Sequence, residues 1–328
     1  MPTNLPAEYY DAEERFRAAS TPEERVARLE EMISTIPKHK GTDHLRADLR
    51  RKLSKLKAAG ETKKGAQRQV SPYHIDREGA GQVVLVGPPN AGKSTLVAAL
   101  SNATPEVADY PYTTWTPTPG MMPVNDIQIQ LIDTPPLSTE YVEPELLNLV
   151  RRADLVLVLV DLQSYPLDQL EATVALLEEN RIVARHRREQ YEPEARLLSV
   201  PIIVVVNKVD DASWDEEYIV LCELLQEDWP LLPTSASSGR HLEAFRQAIF
   251  DALDVIRVYA KPPNREPDYS APFVLKRGST VRDFAARVHK DFLHSLKSAR
   301  IWGSGVYEGQ MVGQDHILED GDVLELRT

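Results

Sequence analysis

A chain of 328 residues has room for two or three domains built on one large core and smaller appendages. Its single cysteine, Cys222, excludes an intramolecular disulfide and a cysteine-rich zinc site, as in a reducing cytoplasm. No run of about twenty apolar residues marks a membrane span, and the charged stretch Tyr9 to Arg17 lacks a signal-peptide pattern, so a soluble cytoplasmic protein that does not meet a membrane is expected.

Residues 1–70 are charged and helical in pattern. Thr21-Pro22-Glu23-Glu24 reads as a helix start with proline at the first helical position, followed by the apolar stripe Val26, Leu29 and Ile33. A second stripe, Leu45, Leu49, Leu53 and Leu56, predicts a helical hairpin linked through Pro37 to Thr42. Charge is uneven here. From Lys38 to Arg68, eleven lysines and arginines stand against Asp43, Asp48 and Glu61, a balance of +8 in a chain of −12, so the remainder carries −20. A basic helical face on an acidic protein is suited to a phosphate backbone such as RNA, or is simply a solvated surface. No aromatic residue interleaves the basic ones, so base stacking is not indicated.

The apolar run Val83 to Val86 then leads into Gly87-Pro88-Pro89-Asn90-Ala91-Gly92-Lys93-Ser94, a G-x-x-x-x-G-K-S phosphate loop between a strand and a helix. Closely spaced negative charges call for backbone N–H groups at close range and a helix N-terminus, and glycine permits that approach. The nucleotide-binding set here is Pro89, Asn90, Ala91, Gly92, Lys93, Ser94 and Thr95; Lys93 reaches the β- and γ-phosphates and Ser94 is a Mg²⁺ ligand. Downstream, Tyr110-Pro111-Tyr112-Thr113-Thr114-Trp115 suits a mobile loop, with Thr114 as the second protein ligand to Mg²⁺. Ile127 to Leu131 alternates with period two and ends at Ile132-Asp133-Thr134-Pro135-Pro136, where Asp133 is placed to hold Mg²⁺ through water.

Two departures follow at once. Pro136 stands where D-x-x-G motifs carry glycine, and proline has no N–H for a γ-phosphate. Leu137 fills a slot where many GTPases place a water-positioning glutamine, and no lysine or arginine lies between Ala103 and Val124 to act as an arginine finger.

Farther on, the run Val200 to Val206 reads as a buried parallel strand ending in Asn207-Lys208-Val209-Asp210. At the carboxyl end of such a strand, Asp210 can accept from the N1–H and exocyclic amine of guanine, a donor pair adenine lacks. Leu231 to Ala236 predicts another strand leading into a loop whose backbone at Ser235 and Ala236 touches the guanine O6. Repeated proline from Ala260 to Pro267 marks a semi-rigid linker. Beyond it, Phe273 to Lys276 suggests a strand and Thr280-Val281-Arg282-Asp283 a helix start, with short strands continuing to Leu326 in a β-grasp order. Trp302 is read as core, or as an aromatic that meets a partner.

Three stretches resemble the developmentally regulated GTP-binding proteins, the DRG family within the Obg group: Met32 to Thr42 with the basic helix after it, Tyr112 to Thr116, and the C-terminal sixty or so residues. In the last of these, Ala299 to Gly303, Gly309-Gln310, Gly313 to His316 and Leu318 to Asp322 resemble the family's TGS domain. The resemblance implies a Mg²⁺-dependent, ribosome-associated GTPase, stimulated by potassium in several members. In potassium-using relatives an asparagine of the phosphate loop helps hold the ion; Asn90 occupies that position here, or stabilises the loop by local hydrogen bonds. Against the family pattern, the segment from Asn180 to Ser199 is too short for the helical insertion that DRG proteins carry.

The expected architecture is therefore α/β: a helical, partly basic region over 1–70, a doubly wound P-loop GTPase domain over 71–260, a Pro-rich linker over 261–271 and a TGS β-grasp domain over 272–328. The expected function is hydrolysis of GTP to GDP and phosphate, with Lys93 and Thr114 as the catalytic pair, in a switch that meets the ribosome or RNA through the basic helix 38–68 and the TGS domain, and is open to a protein regulator. The alternative is a nucleotide-gated adaptor that holds GTP with little turnover, because Pro136 and Leu137 alter the second switch.

Overall fold

The computed structural model describes residues 9, 12, 15–16, 27–29, 31–33, 35–36, 49, 53, 73–101, 116–137, 142–225, 229–289, 292 and 296–327. Two compact units divide the chain, Met1–Val70 and Ser71–Thr328.

In the first unit, Leu29 and Ile33 of one predicted stripe share an apolar cluster with Leu49 and Leu53 of the other. Tyr9, Ala12 and Phe16 join them; sequence reading passed over this third stripe because charged residues surround it. Most of the basic stretch 38–68, and the helix start at Thr21, lie outside the described residues.

The second unit holds two sheets. The first has six strands: β1 (Gln82–Val86), β2 (Thr118–Val124), β3 (Ile127–Asp133), β4 (Leu155–Asp161), β7 (Ile202–Asn207) and β8 (Leu231–Pro233), in the order β2-β3-β1-β4-β7-β8. All neighbours are parallel except β2 and β3, which form a hairpin at the edge. Strands β1, β4 and β7 are buried at every position, as continuous Val/Leu/Ile runs require when both faces are covered. Alternate residues then serve opposite faces. Val84, Val86, Val156, Val158, Val204 and Val206 pack with helices α2 (Pro144–Arg152) and α3 (Pro166–Glu179). On the other face, Val83, Leu85, Leu157, Leu159 and Val205 pack with α1 (Lys93–Leu100) and α5 (Leu242–Ala252), and α4 (Asp215–Leu224) lies between β7 and β8 in sequence. The fold is a doubly wound α/β arrangement with helices on both faces of the sheet. The segment after α3 is a small two-stranded parallel sheet, β5 (Ile182–Ala184) with β6 (Leu198–Val200), joined by a 3₁₀ turn.

Gln130 departs from the simple alternation of β3. It is buried, and its side chain accepts from Gln82 Nε2 at 2.9 Å and donates to the Asp76 carbonyl at 3.0 Å, which satisfies a polar group inside the sheet.

The second sheet runs β10-β9-β13-β11-β12, built from β9 (Val255–Ala260), β10 (Phe273–Lys276), β11 (Ser298–Trp302), β12 (Gln310–Val312) and β13 (Asp322–Arg327). One face is covered by α6 (Val281–Val288), whose start is the capping box of Thr280 and Asp283. Strand β9 corrects the expected boundary. Residues 255–260 belong by hydrogen bonding to the C-terminal sheet, antiparallel to β10 and parallel to β13, rather than to the first domain. An apolar alternation reports a strand but not which sheet it joins. Trp302 is half-buried with the Lys261 ammonium 5.4 Å above its ring, so it is neither a sealed core residue nor a bare one.

Candidate functional site

The predicted residues that the structure describes converge at the carboxyl edge of the six-stranded sheet, where β1, β3, β7 and β8 end. Two glycines of the phosphate loop have geometric reasons to be glycine. Gly87 has φ +151, and a Cβ there would sit 2.4 Å from the Leu159 carbonyl oxygen of β4. Gly92, at φ +92, caps α1, and its Cβ would sit 2.2 Å from Asn207 Nδ2. Asn90 takes the left-handed region at φ +61 and is exposed, a conformation asparagine tolerates well.

Lys93 is the first residue of α1 and is only 6% exposed. Its ammonium donates to the carbonyls of Gly87 at 3.1 Å and Pro88 at 2.8 Å, folded back over the loop. Burial lowers its pKa from 10.5 to about 8, against a raising pull from Asp133. On the next residue, the Ser94 hydroxyl donates to Asp133 Oδ2 at 2.6 Å. A hydroxyl and a carboxylate meeting beside a lysine form a hard-oxygen set that suits Mg²⁺. Thr95 continues α1 on the same first turn. Thr114 lies outside the described residues.

After Asp133, Thr134 is fully buried and its hydroxyl donates to the Leu85 carbonyl at 2.5 Å. Leu137 donates its backbone N–H to Gly87 O at 3.1 Å, and its side chain is buried in the core with Leu146 and Leu162. The segment is thus anchored under the phosphate loop by an apolar side chain, with Pro136 half-buried between the two anchors.

At the other end, Asn207 is 2% exposed and acts as a strut: Nδ2 donates to Ala91 O at 2.8 Å and Oδ1 accepts from the Ala236 N–H at 3.2 Å. Lys208, with φ +67, places its ammonium 2.5 Å from Asp161 Oδ2. Asp210 Oδ1 accepts from the Ser235 hydroxyl at 2.5 Å and the Ser237 hydroxyl at 2.8 Å, and Oδ2 from Gln163 Nε2 at 3.2 Å. These donors, Ser235 first, hold its carboxyl below the usual range, so it is an ionised acceptor. The expected backbone donors are spent internally: Ser235 N–H goes to Arg240 O at 3.0 Å and Ala236 N–H to Asn207. Ser235 reaches the site by its hydroxyl instead, because the loop turns back on itself through Gly239.

Residues 82–208 match the 50S ribosome-binding GTPase family, and residues 256–328 match the TGS domain. An uncharacterized GTP-binding protein of Methanocaldococcus jannaschii is 30% identical over 369 aligned positions, covering 93% of this chain and 92% of that protein. Developmentally-regulated G-protein 3 of Arabidopsis thaliana is 27% identical, covering 94% and 99%. The chain belongs to the DRG family of GTP-binding proteins. A further relative, Ribosome-interacting GTPase 1 of Saccharomyces cerevisiae, is 26% identical, covering 94% and 99%. In fold, this DRG-family chain is similar to the Schizosaccharomyces pombe YchF GTPase, with a TM-score of 0.54 at 14% identity over 77% of this chain and 99% of that one.

Sequence reasoning about this DRG-family site missed Gln163, Ser237 and Asp161, which orient Asp210 and Lys208. Gln163 reaches Asp210 across 47 positions of sequence, and no motif spacing announces such a contact. Among the described residues no three His, Cys, Asp or Glu side chains cluster as a metal site, and no helix is long and apolar enough to cross a membrane.

Proposed function

We propose that this chain binds GTP along the edge from Lys93 to Asp210 and hydrolyses it to GDP and phosphate, cycling between two states. The observation that carries the reading is the Asn207 strut, which ties the phosphate loop at Ala91 to the base loop at Ala236, so both halves of one nucleotide site are set by one buried side chain. An incoming triphosphate gives the Lys93 ammonium a stronger partner than the Gly87 and Pro88 carbonyls, and draws it out towards the β- and γ-phosphates. A Mg²⁺ ion, when bound, neutralises developing phosphate charge; Ser94, Asp133 through water, and Thr114 are the side chains that would hold it.

At the base, Asp210 already accepts three protein donors on about four lone-pair sites. The guanine N1–H and amine would take the Oδ2 side, displacing Gln163, while the serine hydroxyls keep the carboxylate aimed. Ala236 N–H reaches the guanine O6 by exchanging its 3.2 Å bond to Asn207. Adenine, with an acceptor at N1, leaves Asp210 facing a lone pair and is rejected.

Leu137 is buried and cannot orient water, so the nucleophile and the transition-state charge depend on groups outside that slot. Asn90, exposed within the phosphate loop, is the side chain that would help hold a potassium ion there. The cycle is proposed to gate contact with an RNA-bearing partner in the cytoplasm. The basic stretch 38–68 and the yeast relative's name as a ribosome-interacting GTPase support the ribosome as that partner. Turnover of GTP and ATP by the purified chain with Mg²⁺, in potassium and in sodium at equal ionic strength, tests the reading. Phosphate release from GTP alone, faster in potassium, is expected. Tight GTP binding without release in either salt, or equal turnover of ATP, would overturn it.

A further inference from the structure

The hairpin of β2 and β3 links Asp133 to the segment that carries Thr114, the two stretches assigned to the γ-phosphate in the proposed function. Strand β2 begins just after the segment that carries Thr114, and β3 ends at Asp133; the seven paired positions run from Thr118↔Asp133 to Val124↔Ile127. The hairpin is therefore a lever roughly 20 Å long at about 3.4 Å per residue. It sits at the sheet edge: β3 pairs with β1 from Gln130 to Ile132, and nearer the turn it is held by the residues before β1, where Ala80 N–H donates to Gln128 O at 2.8 Å.

The far end of this lever is gripped by the C-terminal sheet. Asp126, in the hairpin turn, accepts from Arg257 Nη1 at 2.8 Å through Oδ1 and from the Tyr259 hydroxyl through Oδ2. Both partners lie on β9. Arg257 is itself held in place by Asp320, which accepts its Nε at 3.1 Å, its Nη2 at 2.7 Å and its backbone N–H at 2.7 Å. The bidentate grip fixes the guanidinium plane and leaves Nη1 aimed at Asp126. Burial tends to raise the Asp126 carboxyl, but the hydrogen bonds from Tyr259 and Arg257 outweigh it and hold the group ionised. The side chains of Arg257 and Asp126 are 19% and 28% exposed, which shields the pair from the screening that weakens surface ion pairs. Val124 and Ile127, flanking the turn, share an apolar cluster with Val255 of β9 and Val274 of β10.

We propose that Asp126, Arg257 and Tyr259 form a coupling contact through which the nucleotide site repositions the C-terminal sheet, with Asp320 as the residue that orients Arg257. The inference rests on the nucleotide reading of the site. A hairpin pulled at its Thr118 and Asp133 end moves as one body, since seven ladder pairs resist bending, and Asp126 transmits the displacement to β9 and, through Asp320, to the turn before β13. Asp126, Arg257 and Tyr259 are thus positioning residues, remote from the reacting atoms.

Hydrogen exchange of the full-length chain, with Mg²⁺ and either GDP or a non-hydrolysable GTP analogue, tests the coupling. In the wild type, amides of residues 255–260 and 318–327 are expected to exchange at rates that differ by about threefold or more between the two nucleotides. Asp126→Ala and Tyr259→Phe leave the Arg257 and Asp320 pair intact, and each is expected to shrink that difference while GDP and analogue affinities stay within about twofold of wild type. A wild type that binds both nucleotides with identical exchange in these segments overturns the coupling, as does a difference that survives in both variants. If the wild type binds neither nucleotide, it is the nucleotide reading that fails.

Discussion

Lys93 makes a quantitative prediction, because its ammonium is buried against carbonyls before any phosphate arrives. Burial lowers its pKa from 10.5 to about 8, which corresponds to a penalty on the order of 3 kcal/mol for the charged form in the empty site. The sign follows from linkage. Between about 8 and 10.5 the unfolded chain holds more of this proton than the folded one, so the nucleotide-free protein gains stability from this group as pH rises through that window. A bound phosphate reverses the environment, favouring the ammonium and raising the pKa again. Binding must then draw in a proton wherever the free site has lost one: about 0.5 at pH 8 and about 0.9 at pH 9 for a group that titrates near 8. Isothermal titration calorimetry of Mg²⁺ and GDP, repeated in two buffers of different ionisation enthalpy at each pH, reads this number directly. The terminal phosphate of the nucleotide, with a pKa of about 6, stays ionised throughout and does not contribute. Uptake that is the same at both pH values, or near zero at pH 9, would refute the claim that Lys93 is desolvated in the free site and recharged by phosphate.

Three substitutions extend the argument. Gly92→Ala forces a β-carbon into a left-handed position and against Asn207 Nδ2; the strain and the lost strut should cost about 2–3 kcal/mol. Gly239→Ala, at φ +78 with nothing within 4 Å, carries the backbone strain alone, so its thermal unfolding should lie above that of Gly92→Ala, and equal melting temperatures would show that the Asn207 contact is immaterial. Asp210→Asn replaces an ionised acceptor held by Ser235 and Ser237 with a group that is half donor, so GTP affinity should fall by about tenfold or more while XTP, whose ring offers a matching acceptor, gains; competition binding with the two nucleotides checks it, and an unchanged preference for GTP would remove Asp210 from the base site.

Much of the site was legible because its motifs are local. The left-handed Gly92 and the helix opening at Lys93 follow from a short stretch whose backbone conformation is set by neighbours a few residues away, whereas the pairing of Ser94 with Asp133 spans 39 positions and needs β1 and β3 to lie side by side. The predicted start of α6 at Thr280 and Asp283 was legible on the same ground. Thr114 and most of the basic stretch 38–68 lie outside the described residues, so their roles rest on sequence. The Ser235 and Ala236 backbone contacts were read from a triplet alone. In this structure the two N–H groups bond Arg240 O and Asn207 Oδ1, partners that sequence does not place beside them.

By itself, then, the amino-acid sequence determined the α/β class, the phosphate loop, the guanine-type string from Asn207 to Asp210 and the family resemblance, since apolar periodicity and short motifs encode interactions within one element or one turn. Only the tertiary structure decided that β9 serves the C-terminal sheet, that Asn207 braces two loops, that Leu137 is buried beneath the phosphate loop, and that Arg257 holds Asp126 from 131 positions away. The reason is physical. Contacts between elements depend on which strands pair and which faces meet, and that choice is made by the packing of the whole core rather than by the residues on either side of the contact.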